Sequence, residues 1–189
     1  MTPERDRLWG VSFAAPVIRA ERPEDFDAIA AVVEAAFQSP IEARLVEDIR
    51  ASPHYVPELA LVAEHEGRVV GHVMLSYSAL VDGESERPIL QLSPLAVAPD
   101  VQSLGIGSAL VPAACALADE RGEPLVVLEG SPLYYGRFGF EPSTNYGIQL
   151  PIPDWAPAEA SQLLRLRNYD PSLRGNVVYP PAFDAASEH

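Results

Sequence analysis

One stretch constrains this chain more than any other: Val97-Ala98-Pro99-Asp100-Val101-Gln102-Ser103-Leu104-Gly105-Ile106-Gly107-Ser108-Ala109-Leu110, where an apolar strand passes into a helix through a glycine-punctuated turn that begins at a glutamine. The first residues of a helix have backbone N–H groups with no intrahelical acceptor and sit at the positive end of the helix dipole, so such a turn can hold a phosphate or pyrophosphate through main-chain donors alone. Gly105 and Gly107 let an anion come close to the backbone. A mononucleotide P-loop needs Gly-Lys-Ser/Thr, and here Gly107 is followed by Ser108 and Ala109. A dinucleotide fingerprint needs a third glycine where Leu110 stands, and it belongs after a first strand, whereas this turn lies mid-chain. Nucleotide triphosphate hydrolysis and nicotinamide or flavin chemistry both drop out.

Composition removes further classes. A length of 189 residues, 48% of them hydrophobic, suffices for one well-buried core and is short for two domains. The formal charge of −14 opposes binding to nucleic acid or to an anionic membrane surface, which depends on clustered Lys and Arg. An acidic exterior suits a cationic amine as a partner, and it equally suits mere solubility. No apolar run approaches the roughly 18 to 20 residues of a membrane-spanning helix, and Leu8 to Pro16 is too broken for a signal peptide, so a soluble cytoplasmic protein is expected. Cys115 is the single cysteine and reads as a small buried residue; it forms no zinc-ligand spacing with His54, His65, His72 or His189.

Periodicity places the elements. Residues 1–16 read as a loose leader and Val17 to Glu21 as a short strand, after which Pro23 opens a helix to about Gln38 with Ile29, Val32, Val33, Ala36 and Phe37 inward. A second amphipathic helix is expected over Ile41 to Ala51. Leu59 to His65 and Arg68 to Ser78 form a predicted hairpin, Asp82-Gly83-Glu84 marks the next turn, and Ile89 to Val97 is the strand before the glycine turn. The helix that follows spans Ile106 to Arg121, with a kink or a displaced start expected at Pro112. Leu125 to Glu129 is a short strand apolar enough to be central, and Pro132 to Phe138 a brief helix. Beyond Pro151, the segments Gln162 to Tyr169 and Asn176 to Tyr179 are strand-like and are joined by a turn at Asp170-Pro171-Ser172. Residues 151–189 are read as an extension packed on the same domain, with an acceptor lid or an oligomer surface as the alternative.

Gln102-Ser103-Leu104-Gly105-Ile106-Gly107 fits the Arg/Gln-x-x-Gly-x-Gly/Ala signature of the Gcn5-related N-acetyltransferase (GNAT) family, and Tyr134-Tyr135-Gly136-Arg137-Phe138-Gly139-Phe140 resembles its Tyr-x-x-x-Gly-Phe element. Leu128-Glu129-Gly130-Ser131-Pro132 is similar to a bacterial subgroup of N-acetyltransferases. The resemblance spans residues 17–150. It implies a single α/β (α+β) domain with a mixed, twisted sheet of about seven strands flanked by helices, extended by C-terminal strands. It implies acetyl-CoA as acyl donor, no metal, and transfer of the acetyl group to a primary amine by direct attack in a ternary complex.

The same resemblance assigns residues. The pantetheine arm would lie beside Leu95, Ala96 and Val97 like an extra strand, with a backbone N–H near Val97 as donor to the thioester carbonyl. The pyrophosphate would rest on the N–H groups of Leu104, Gly105, Ile106, Gly107 and Ser108, assisted by Gln102 beside Ser103. Tyr135, four residues before Gly139, takes the position of the general acid, and Tyr134 is assigned to packing. The glutamate that serves as base in some relatives is replaced by Gln91. Glu129 at the end of its strand is the candidate base, followed by Glu42 and His54, with a water chain as the alternative. A non-catalytic acyl-CoA-binding module stays open as a competing reading, as do the identity of the amine acceptor, small molecule or protein, and a homodimer.

Overall fold

The computed structural model describes residues 15–184, so most of the expected leader lies outside the described residues. The order is β1 (Val17–Ala20), α1 (Phe26–Phe37), α2 (Ile41–Arg50), β2 (Tyr55–His65), β3 (Arg68–Asp82), β4 (Ser85–Val97), α3 (Ile106–Glu120), β5 (Leu125–Glu129), α4 (Pro132–Tyr135), β6 (Glu141–Pro142), β7 (Ile148–Gln149), β8 (Ser161–Arg165) and β9 (Gly175–Val178). Among the described residues all nine strands join one mixed sheet in the order β1-β2-β3-β4-β5-β8-β6, with β9 on β3 and β7 on β9. The excess over about seven comes from β6 and β7, two residues each.

Strands β1 to β4 form an antiparallel meander, whereas β5 runs parallel to β4 because α3 makes the crossover between them. The alternation of the pleat separates two faces. Gly71 on β3 faces Ile106 and Leu110 of α3, so its neighbour His72 points the other way, toward Arg50 of α2 through Glu21. One large core lies against both faces, built from residues such as Val33, Ile49, Leu75, Leu110 and Val126. A smaller core forms where β3, β4, β5 and β8 meet the C-terminal segment, with Ile89, Leu125, Ile148, Leu163 and Val177 at its centre.

Two features of the sheet shape the site. Strand β4 carries one residue more than β3 between the pairs Leu75↔Leu92 and Val73↔Leu95, a bulge at Ser93-Pro94. Strand β4 also meets β5 at only two positions, Leu90↔Val126 and Gln91↔Val127, after which the strands part. Beyond Gln91, β4 has β3 alone as strand partner, while β5 continues to Glu129 against β8. Helix α3 starts at Ile106 as expected, with Pro112 in its interior, so the start is not displaced. The two C-terminal strands do not pair with each other: β8 inserts between β5 and β6, and β9 adds to β3 where β2 has ended, at Ala79–Val81.

Candidate active site

The wedge between β4 and β5 opens into two cavities that share Phe37 and Leu95. The first, about 830 Å³, lies over the glycine turn and the start of α3. The second, about 890 Å³, lies between the β4 bulge, the end of β5 and the C-terminal segment.

The first cavity is built largely from main chain. Ser103 and Gly105 both have left-handed backbone, with φ of 65° and 86°. That conformation is free for Gly105 and costs a serine on the order of 1 kcal/mol, a local strain that tends to persist where the backbone is used. The first helical bond runs from Ala109 N–H to Gly105 carbonyl at 3.0 Å, and no side chain caps the helix. The N–H groups of Ile106, Gly107 and Ser108 therefore face the cavity without intrahelical acceptors. Gly107 leaves room for the Tyr134 hydroxyl, which approaches where a Cβ would stand. The guanidinium of Arg137 lies 4.2 Å over the Tyr134 ring and is the one cationic side chain on this wall among the described residues.

The open edge of β4 faces the same space. Ala98 N–H donates to Val70 carbonyl at 2.8 Å, so by strand alternation the N–H and C=O groups of Leu95 and Val97 point away from β3, into the wedge. The Gln102 side chain donates to Val97 carbonyl at 3.1 Å and so fastens the turn to the strand end. Of the residues expected to hold the cofactor, Leu95, Val97, Gln102, Ser103, Gly105, Ile106, Gly107 and Ser108 line this cavity. Ala96 points into the core, and Leu104 is exposed outside the cavity.

The second cavity gathers the ionisable groups. Tyr135 lines it with its ring edge on Phe140, the centroids 5.8 Å apart, and burial pushes its hydroxyl up to about 12. Glu129 is open to the cavity yet crowded by protein, which raises its carboxyl above the usual range; a hydrogen bond from the Tyr179 hydroxyl works against that rise. Glu42, in the first turn of α2, also lines the cavity, and its Oε2 is buried with no protein partner. Gln91 also reaches the cavity, with Oε1 accepting from Ser78 Oγ at 2.6 Å. His54 lines neither cavity. Tyr134 and Tyr135 stand on different cavities with rings 4.8 Å apart, so Tyr134, assigned to packing from sequence, both packs and faces the first cavity.

Sequence reasoning gave Arg137 and Tyr179 no role in the site and placed Phe37 inward on its helix, whereas Phe37 is 42% exposed and lines both cavities. Arg137 lay inside the Tyr-x-x-x-Gly-Phe element and could have been noticed as its only cation. Tyr179 left no local signal, because its partner Glu129 is distant in sequence.

An open-edged strand before a helix N-terminus, splayed from its parallel neighbour, makes a site for an extended ligand with an anionic end. A family model for the acetyltransferase (GNAT) domain matches residues 17–143. The chain belongs to the GNAT family of N-acetyltransferases, acyltransferases whose donor is acetyl-CoA. It is 34% identical over 160 residues to the N-acetyltransferase YhbS of Escherichia coli K12, covering 84% of this chain and 91% of that one. The crystal structure of E. coli YhbS in complex with CoA superposes with a TM-score of 0.79 at 30% identity, over 90% of this chain and 92% of that one. A GNAT acetyltransferase from Brucella melitensis in complex with acetyl-CoA gives 0.72 at 33% identity, over 89% and 98% of the two chains. Among the described residues no helix is long and apolar enough to cross a membrane.

Proposed function

We propose that the chain transfers the acetyl group of acetyl-CoA to a primary amine by direct attack, with the donor in the first cavity and the acceptor in the second. The observation that carries this is the meeting of the two cavities at Leu95, on the edge of β4 that no strand covers. The pyrophosphate rests on the N–H groups of Ile106, Gly107 and Ser108, with Arg137 as the nearby cation. The pantetheine runs along β4. Gln102 occupies the Val97 carbonyl, which leaves the Val97 N–H to the thioester carbonyl. A preorganised donor of this kind is worth about 3 kcal/mol as oxyanion character develops.

Each proton has a carrier in this reading. Glu129, its carboxyl raised by burial, removes a proton from the attacking ammonium or through a water. The nitrogen lone pair then adds to the thioester carbon, the tetrahedral intermediate collapses, and the C–S bond breaks. Tyr135, held protonated across the neutral range, gives its proton to the departing thiolate, and the second proton of the acylated nitrogen passes to the phenolate through water, restoring Tyr135. Cys115 takes no part, since burial pushes its thiol up to about 12 and away from the nucleophilic thiolate form.

Tyr135→Phe should lower kcat about 100-fold while leaving acetyl-CoA affinity unchanged, measured by free-thiol release over a panel of amines and by calorimetry. Tyr134→Phe should cost less. If Tyr134→Phe takes the larger loss, the acid is the tyrosine of the first cavity and the assignment to Tyr135 falls.

A further inference from the structure

The second cavity carries more information about its occupant than a generic amine requires. Its wall includes two carboxylates, Glu129 at the end of β5 and Glu42 at the start of α2, and no Lys, Arg or His among the described residues. An acceptor with its own carboxylate or phosphate would find no counter-charge there and would face two like charges. On the reading above, Glu129 serves the nitrogen that attacks, which leaves Glu42 unassigned.

Glu42 is unusual for a first-turn acid. Acidic residues favour a helix start, but there the carboxylate normally reaches water or caps a backbone N–H. Here no side-chain cap is made on α2, and the buried Oε2 has no partner in the protein. A buried carboxylate oxygen without a donor costs free energy that an incoming N–H group would recover. Much of the remaining wall is aromatic and apolar, including Phe37, Leu45, Phe183 and the exposed Trp155. A hydrocarbon chain would lie against it, and a cationic end group could stack on the indole.

We infer that the acceptor is a diamine: a primary amine at the thioester, an apolar spacer, and a second cationic nitrogen whose N–H groups bind Glu42. This rests on the acetyl-transfer reading for which end of the molecule reacts, and it is tested by binding so that the two can fail separately. The probes are α,ω-diaminoalkanes and n-alkylamines of matched carbon number, titrated calorimetrically into the CoA-loaded protein. Diamines of the best-fitting length should bind at least about tenfold tighter than their monoamine partners, as expected for one charge-assisted hydrogen bond. Glu42→Gln should shrink that ratio to about twofold while leaving monoamine and CoA affinities as they were. Equal binding of the two series, a preference that survives Glu42→Gln, or no binding of either series would overturn the inference. Failure of the transfer reading has another signature: no CoA binding, or no thiol release from acetyl-CoA with any amine, whatever the diamine preference.

Discussion

Glu21 and Glu129 show two opposite treatments of a carboxylate in one sheet. The Glu21 side chain is fully inaccessible and is surrounded by donors: Arg50 at 2.7 and 2.8 Å, His72 Nε2 at 2.9 Å and the Tyr55 hydroxyl at 2.7 Å. Burial by itself would raise its carboxyl, but those hydrogen bonds outweigh it and hold Glu21 down at about 2. His72, wholly buried, is lowered by desolvation despite Glu21, so its ring is neutral and donates from Nε2. Glu129 has one donor, Tyr179, and its carboxyl is raised. The first arrangement fastens β1, α2, β2 and β3 together; the second leaves a carboxyl, raised by burial, open to the second cavity. Completeness of the hydrogen-bond shell separates the structural carboxylate from the one we assign to the chemistry.

The comparison can be broken most severely at Glu21. Glu21→Gln leaves Arg50 buried without its counter-charge and should destabilise the protein by about 3 to 5 kcal/mol in urea unfolding. Because the Glu21 carboxyl lies below its unfolded value, its contribution is present above pH 4.5 and is lost as pH falls toward about 2. The native protein should therefore lose stability across that window, and the variant should show a flatter dependence there. A variant as stable as the parent at neutral pH would remove the structural role.

Glu129→Gln should do the converse, lowering kcat/KM about 100-fold with no loss of melting temperature. The sign follows from linkage: a carboxyl raised in the folded state favours folding only at low pH, and that benefit fades as pH rises through its folded value, so at neutral pH the amide removes a cost. A large drop in melting temperature would place Glu129 with Glu21 as a structural group. The smallest effect is expected from Tyr179→Phe. Removing the hydroxyl takes away the one bond that lowers Glu129, so the acidic limb of the kcat/KM profile should move to higher pH, with only a few-fold loss at its plateau. An unmoved limb would uncouple Tyr179 from the base.

The donor half of this molecule was legible in the sequence because its signal is local. The turn, the helix beginning at Ile106 and the strand ending at Val97 lie within a few residues of one another, and spacing alone sets their geometry. The second cavity was not, since its walls come from the end of α1, the start of α2, the β4 bulge, the end of β5, the loop 151–157 and Tyr179. Periodicity reports which face a residue takes and is silent on which strand becomes its neighbour. That is why the two C-terminal strands were visible but their separation onto β5 and β3 was not. The first strand of the predicted hairpin, Leu59 to His65, was also too short at its start: β2 begins at Tyr55 and holds Pro57 at a register shift between Tyr55 and Ala60.

The attachment of β9 to β3, with Tyr179 following it, has a consequence for biosynthesis. The residues of the first cavity end at Arg137, whereas the wall of the second is completed by Tyr179 and Phe183. A chain emerging from the ribosome therefore presents every residue of the first cavity, and with them Glu129 and Tyr135, before the segment that closes the second. A molecule interrupted between β8 and β9 would carry both proposed proton carriers and lack the wall that Tyr179 and Phe183 add to the second cavity.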